Sequence, residues 1–222
     1  MDEVRTILLN RSAYADNDAE ADKLREYLKD HHCFVVNLMS SPGAGKTTTL
    51  TKLINLLKND YKIGVMEADI DSDVDAISIV KNTGVKSIQL HTNGMCHLDA
   101  GMTKCGLDGI NFDELDLIFL ENVGNLVCPA EFDTGASMDM VILSIPEGDD
   151  KPIKYPLVFQ KSSLVLINKI DALPYFDFDM DKCVNNIRNR NKNSTIIPIS
   201  AKTGENMEKV AEYFKKILDR GD

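Results

Sequence analysis

Ser40-Ser41-Pro42-Gly43-Ala44-Gly45-Lys46-Thr47 follows a short apolar run (34–39) and opens a stretch with Leu50, Leu53, Ile54 and Leu57 at helical spacing. Strand, glycine loop and helix in that order give backbone N–H groups the room to wrap a phosphate. Gly43, Ala44 and Gly45 would line the β-phosphate at the positive end of the helix. Lys46 would reach the terminal phosphates, and Thr47 would offer its hydroxyl to Mg²⁺, with Thr48 beside it in the same site. The first glycine of the usual pattern is here Ser40. A plain strand-to-helix turn is the bland alternative, and Lys46-Thr47 at the helix start argues against it.

Two acidic clusters stand at the ends of later apolar runs, where ligands of open α/β sheets bind. They are Glu67-Ala68-Asp69-Ile70-Asp71-Ser72-Asp73-Val74-Asp75 and Glu121-Asn122-Val123-Gly124. Nucleotide-bound Mg²⁺ takes one or two carboxylates, and Asp69 and Glu121 are expected to supply them. Asp75 is expected to orient the attacking water, which makes it, with Lys46, the catalytic candidate. Gly124 admits a backbone amide close to a γ-phosphate. Asp71 and Asp73 suit the solvation of a helix start equally well.

A third group reads the base. Asn168-Lys169-Ile170-Asp171 ends another apolar run, and Ser200-Ala201-Lys202 follows a later one. A carboxylate at Asp171 accepts from guanine's N1–H and 2-amino group while the Lys169 stem covers the ring. Adenine would strand that carboxylate, so the expected ligands are GTP and GDP.

Cys96-His97 and Cys128 combine two soft thiolates with an imidazole, a set suited to Zn²⁺ or Ni²⁺. Neighbours in a strand point to opposite faces, so Cys96 and His97 serve one ion only from a loop or helix start. Gly94 and Pro129 favour loops there. On the residues alone, inert packed cysteines remain the other reading.

The elements that must hold these groups are legible as further apolar runs at 63–66, 87–90, 115–120, 140–145, 164–167 and 195–199, mostly separated by helix-length segments. Such alternation predicts an α/β fold: a single P-loop NTPase domain with a mostly parallel central sheet and helices on both faces. Residues 33–222 would form it, closed by a helix over 205–219. Residues 1–32 would be an N-terminal extension whose amphipathic helix, 19–29, packs on the domain.

Composition agrees and excludes alternatives. The 222 residues carry 25 Lys and Arg against 35 Asp and Glu, for a net charge of −10. Phosphate backbones and anionic bilayers repel such a chain, so neither nucleic acid nor a membrane is an expected partner. Asp2 and Glu3 stand where a signal peptide would be basic, and no run approaches the length of a membrane span; a cytoplasmic location is expected. Five cysteines, an odd number, suggest reduced thiols or metal ligands rather than bridges. Cys33, Cys105 and Cys183 have no motif partner and are assigned to packing.

Together the phosphate loop, Glu121-Asn122-Val123-Gly124 and Asn168-Lys169-Ile170-Asp171 resemble GTPases of the class that contains signal-recognition-particle and metallochaperone GTPases. Within it, GMCHLDA (94–100), ENVGNLVCPA (121–130) and EGDDKPIKYP (147–156) resemble the hydrogenase nickel-incorporation GTPases, the HypB family, over about 35–204. The resemblance implies GTP hydrolysis with Mg²⁺, coupled to nickel delivery during [NiFe] hydrogenase maturation, with slow intrinsic turnover. It also implies that Cys96, His97 and Cys128 bind nickel or zinc near the interface of a GTP-favoured homodimer. The implied partners are hydrogenase-maturation proteins and the hydrogenase large-subunit precursor. The Cys-x-x-Cys-Gly-Cys motif and the His-rich stretch of many bacterial relatives are missing from this N-terminal segment, so one metal site is expected. A relative serving urease or another metalloenzyme, and a metal carrier with little GTPase activity, are the other readings; the complete phosphate and base motifs weigh against the carrier.

Overall fold

A strand that is apolar on both faces must be covered on both, and the segment 34–40 makes that demand. Val36 and Leu38 feed one core, Val35 and Met39 the cores on the opposite side. The computed structural model describes residues 5–8, 17–69 and 74–219. Their elements in chain order are β1 (Arg5–Leu8), α1 (Asn17–Asp30), β2 (Phe34–Ser40), α2 (Lys46–Leu57), β3 (Ile63–Asp69), α3 (Val74–Thr83), β4 (Lys86–His91) and α4 (Ala100–Ile110). There follow β5 (Leu117–Glu121), α5 (Cys128–Glu131), β6 (Met138–Ser144), α6 (Lys151–Lys154), α7 (Pro156–Lys161), β7 (Leu164–Asn168), α8 (Met180–Arg190), β8 (Thr195–Pro198) and α9 (Met207–Leu218).

The described strands form one sheet in the order β1-β4-β3-β5-β2-β6-β7-β8, and every ladder in it is parallel. The expected mostly parallel sheet is therefore parallel throughout its named strands. Helices α2 and α9 pack together over one face through Leu50, Leu53, Ile54, Val210 and Phe214. Phe214 meets Phe119 of β5 edge to face, with ring centroids 5.5 Å apart. On the other side α1 and α4 cover β3, β4 and β5, while α7 and α8 cover β6 and β7.

One polar line crosses this sheet. Asn122 Nδ2 donates to Asn37 Oδ1 at 2.9 Å, and Asn37 Nδ2 donates to Asp139 Oδ1 at 2.7 Å. Burial lifts the Asp139 carboxyl above the usual carboxylate range. Among the described residues no helix is long and apolar enough to cross a membrane.

Candidate functional site

Because β3, β5 and β2 are adjacent and parallel, their carboxyl ends meet at one edge of the sheet. Glu67 of β3 lies in register with Glu121 of β5, and Glu121 with Leu38 of β2, two residues before the phosphate loop begins. The loop curls through left-handed Gly43 (φ 75°) and Gly45 (φ 96°) before α2 starts at Lys46. Gly45 is required twice over, since a Cβ there would also stand 2.6 Å from Asn168 Nδ2. That closeness has a cause: Asn168 Nδ2 donates to the Ala44 carbonyl at 2.8 Å.

Asn168 thus ties the base segment to the phosphate loop. Its Oδ1 accepts from the backbone N–H of Lys169 (2.8 Å) and of Ala201 (3.0 Å). Lys169 Nζ donates to the Gly43 carbonyl at 2.6 Å. Ser200 Oγ donates to Asp171 Oδ1 at 2.6 Å and accepts from Thr203 N–H at 3.1 Å. Lys202 and Thr48 are exposed beside this framework.

Next to the loop, ligand oxygens of Glu67, Asp75 and Glu121 lie within 4.8 Å of one another. Lys46 Nζ is 3.7 Å from Glu121 Oε1, and Thr47 Oγ1 donates to Asp75 Oδ1 at 3.0 Å. Glu67 and Glu121 are only 3% and 2% exposed, and Oε2 of each has no hydrogen-bond partner. Burial pushes Glu67 up to about 9, with the neighbouring Glu121 adding to the shift. Burial also pushes Glu121 up to about 7, against the pull of Lys46. Two orphaned buried oxygens grouped with Asp75, which the Thr47 hydroxyl engages, make a hard donor set, which fits a small divalent cation such as Mg²⁺. Asp69, at the end of β3, adds its charge to both glutamates but lies outside the group of three.

Glu67 is the member that spacing alone did not single out. The available signal was a carboxylate directly after the apolar run 63–66, in a strand buried as far as Ala68. Asp71 and Asp73 lie outside the described residues.

The soft-ligand residues sit nearby on two segments. Cys96 and His97 belong to the connection between β4 and α4, which turns at left-handed Asn93 (φ 52°) and Gly94 (φ 88°). Thr92 N–H donates to the Asp69 carbonyl at 3.3 Å, and its hydroxyl to the Met95 carbonyl at 2.6 Å. Cys96 Sγ lies 3.9 Å from His97 Nδ1. Cys128 opens α5 and shares a hydrogen bond with the Cys96 thiol, which with burial raises the Cys96 pKa. Residues 121–128 therefore run from the carboxylate group to this thiol pair, and on the way they touch the phosphate loop. Asn125 forms an antiparallel bridge with Ser40, and a Cβ on Gly124 would stand 3.2 Å from Pro42 Cγ and 3.6 Å from Lys46 Nζ.

Of the cysteines assigned to packing, Cys33 and Cys183 are buried and inert, their thiols pushed up to about 12 by burial. Cys105 departs from that expectation: it lies on the solvent side of α4 and is exposed.

A parallel sheet whose loops gather a phosphate cradle and carboxylates at the carboxyl ends of adjacent strands is the architecture of P-loop nucleotide-binding proteins. Residues 34–198 match the family described as CobW/HypB/UreG, nucleotide-binding domain, and the chain belongs to that family. It is 43% identical over 203 residues to the hydrogenase maturation factor HypB of Azotobacter chroococcum mcd 1, covering 91% of this chain and 66% of that protein. The chain thus spans about two thirds of that relative's length. It is 39% identical over 200 residues to the probable hydrogenase maturation factor HypB of Methanocaldococcus jannaschii, covering 90% of each. The crystal structure of HypB from Helicobacter pylori in complex with nickel superposes with a TM-score of 0.87 at 34% identity, covering 93% of this chain and 96% of that one.

Proposed function

We propose that this chain is a GTP hydrolase whose nucleotide cycle governs nickel delivery during hydrogenase maturation. The observation that carries the reading is the continuity of residues 121–128, which link the buried carboxylates, the phosphate loop and Cys128 in one short segment. Gly43 to Thr48 cradle the phosphates, and Gly124 senses the last of them. Thr47 and Glu121 would hold Mg²⁺, with Glu67 in the group and Asp69 close by; when bound, such an ion would supply positive charge against the charge that develops on the phosphates. Lys46 supplies a fixed positive charge, and Asp75 orients the water for in-line attack. Asn168 braces the loop, while Asp171, Lys169, Ser200, Ala201 and Lys202 read guanine. Turnover is slow without a further positive charge at the leaving group.

Cys96, His97 and Cys128 hold the nickel cargo, with zinc as a competitor. Three ligands leave a tetrahedral ion one short, which a second copy of the chain or a water completes. A GTP-favoured homodimer in the cytoplasm, working with other maturation proteins and the hydrogenase large-subunit precursor, completes the reading.

Native mass spectrometry under anaerobic, reducing conditions tests it by comparing GDP with a non-hydrolysable GTP analogue, with nickel and then zinc. The expected result is a metal-bearing dimer with the analogue only, lost in Cys96→Ala. Equal metal loading in both nucleotide states would remove the gate from the proposal.

A further inference from the structure

The two segments that carry the soft ligands are held together by α1, an element to which the motifs give no role. Asn17, its first residue, is 8% exposed and uses both ends of its amide. Nδ2 donates to the Asp133 carbonyl at 3.0 Å, and Oδ1 accepts from Ala100 N–H at 3.0 Å. Ala100 begins α4, three residues after His97; Asp133 follows α5, five residues after Cys128. One side chain therefore staples the end of the Cys96-His97 loop to the end of the Cys128 helix.

The Asp133 end of the staple is itself fixed. Arg25, two helical turns along α1, forks onto the Asp133 carboxylate with bonds of 3.0 and 2.8 Å, and adds a bond of 3.1 Å to the Ala136 carbonyl. Between the staple and the ligands lies Phe132. Its ring stacks on the His97 imidazole with centroids 3.5 Å apart and planes 10° from parallel. A stacked imidazole has lost its free rotation about the last side-chain bond, so the ring plane presented to an ion is set before the ion arrives.

We propose that Asn17 and Phe132 are positioning residues of the metal site, Asn17 setting the separation of its two ligand segments and Phe132 the plane of the His97 ring. The inference rests on the reading of Cys96, His97 and Cys128 as ligands. Neither residue touches the ion. Each removes freedom that binding would otherwise have to freeze out, and groups that orient ligands from outside the coordination sphere typically alter metal affinity by about 10- to 100-fold.

The test is titration of the full chain, loaded with GDP and reduced, with Ni²⁺ and with Co²⁺, followed through the thiolate-to-metal absorption bands. Asn17→Ala and Phe132→Leu should each weaken binding by about 10- to 100-fold and alter the band pattern, with GDP affinity and melting temperature close to wild type. Phe132→Tyr keeps the stacked ring and should restore both affinity and spectrum. Asn17→Asp keeps the oxygen that accepts from Ala100 but loses the donor to Asp133, and serves in place of the alanine variant if that chain does not fold; it too should weaken binding. Wild-type affinity and spectra in the Asn17 and Phe132 variants, with loss in Cys96→Ala, would overturn the proposal and leave the ligand assignment standing. Unchanged binding in Cys96→Ala would overturn the ligand assignment and the proposal with it.

Discussion

Glu67 and Glu121 occupy a nearly dry space with one lysine to offset them. An acid whose folded pKa is raised binds its proton more tightly in the native state, so it stabilises the fold at low pH and loses that contribution as pH rises through the folded value. With Glu67 at about 9 and Glu121 at about 7, the chain without nucleotide or metal should lose stability steadily from about pH 5 to pH 9. Urea midpoints across that range should show the decline, and Glu67→Gln should flatten it; an identical slope in the variant would refute the burial argument. Saturating Mg²⁺ with GDP should flatten the slope as well, because a cation favours the ionised carboxylates. At the base site, Asp171→Asn should shift preference from GTP toward xanthosine triphosphate, read as a reversal of relative kcat/KM. Undiminished GTP preference would refute the base assignment. Lys46, Thr47, Asn168 and Asp171 were legible in the sequence because fixed spacing alone brings such residues to a strand end. Glu67 was not, because its role depends on the register of β3 against β5, which no local pattern encodes.

At the scale of elements, packing decides. The last helix was readable from Met207, Val210, Phe214 and Ile217; the structure begins it at Met207, with left-handed Gly204 (φ 89°) and Asn206 (φ 60°) occupying the approach. Phe214 is fully buried against Phe119. Phe214→Ala should therefore cost about 3–5 kcal/mol in chemical denaturation, far from any ligand. The folded variant should bind nucleotide normally. The helix expected over 19–29 is α1, and it begins at Asn17. Its contribution was hidden for the reason that hid Glu67: the bonds from Asn17 and Arg25 to residues near 100 and 133 join positions far apart in the chain. The departure at Ser40 also acquires a reason. This residue is fully buried and bridges Asn125, where the extended backbone of a strand end suits serine better than glycine.

At the scale of the whole molecule, the proposed gate carries a thermodynamic obligation. If GTP strengthens nickel binding, nickel must strengthen GTP binding by the same factor, typically 5- to 150-fold for coupling of this kind. Calorimetry of a non-hydrolysable GTP analogue with and without nickel should return that factor, and calorimetry of nickel with and without the analogue should return it again. No change in either would separate the two sites energetically despite the segment that joins them. Such coupling was legible only as proximity in sequence between Glu121 and Cys128; the contacts with Ser40, Pro42 and Lys46 that could transmit it appear only in the fold.

The parallel order of the sheet also governs how the protein is born. β2 lies near the beginning of the chain, yet its neighbours are β5 and β6, whose residues leave the ribosome last at Glu121 and Ser144. At about 5–20 residues per second, the strand that launches the phosphate loop waits on the order of five to twenty seconds for both partners. Through that interval both hydrogen-bonding edges of β2 stay unpaired, which is the kind of edge that invites wrong pairing in a partly made chain. The nucleotide cradle is thus among the later features to mature during synthesis, and Cys128 is translated before β6 can close over β2, so an unfinished chain displays its thiols before it has a pocket to govern them.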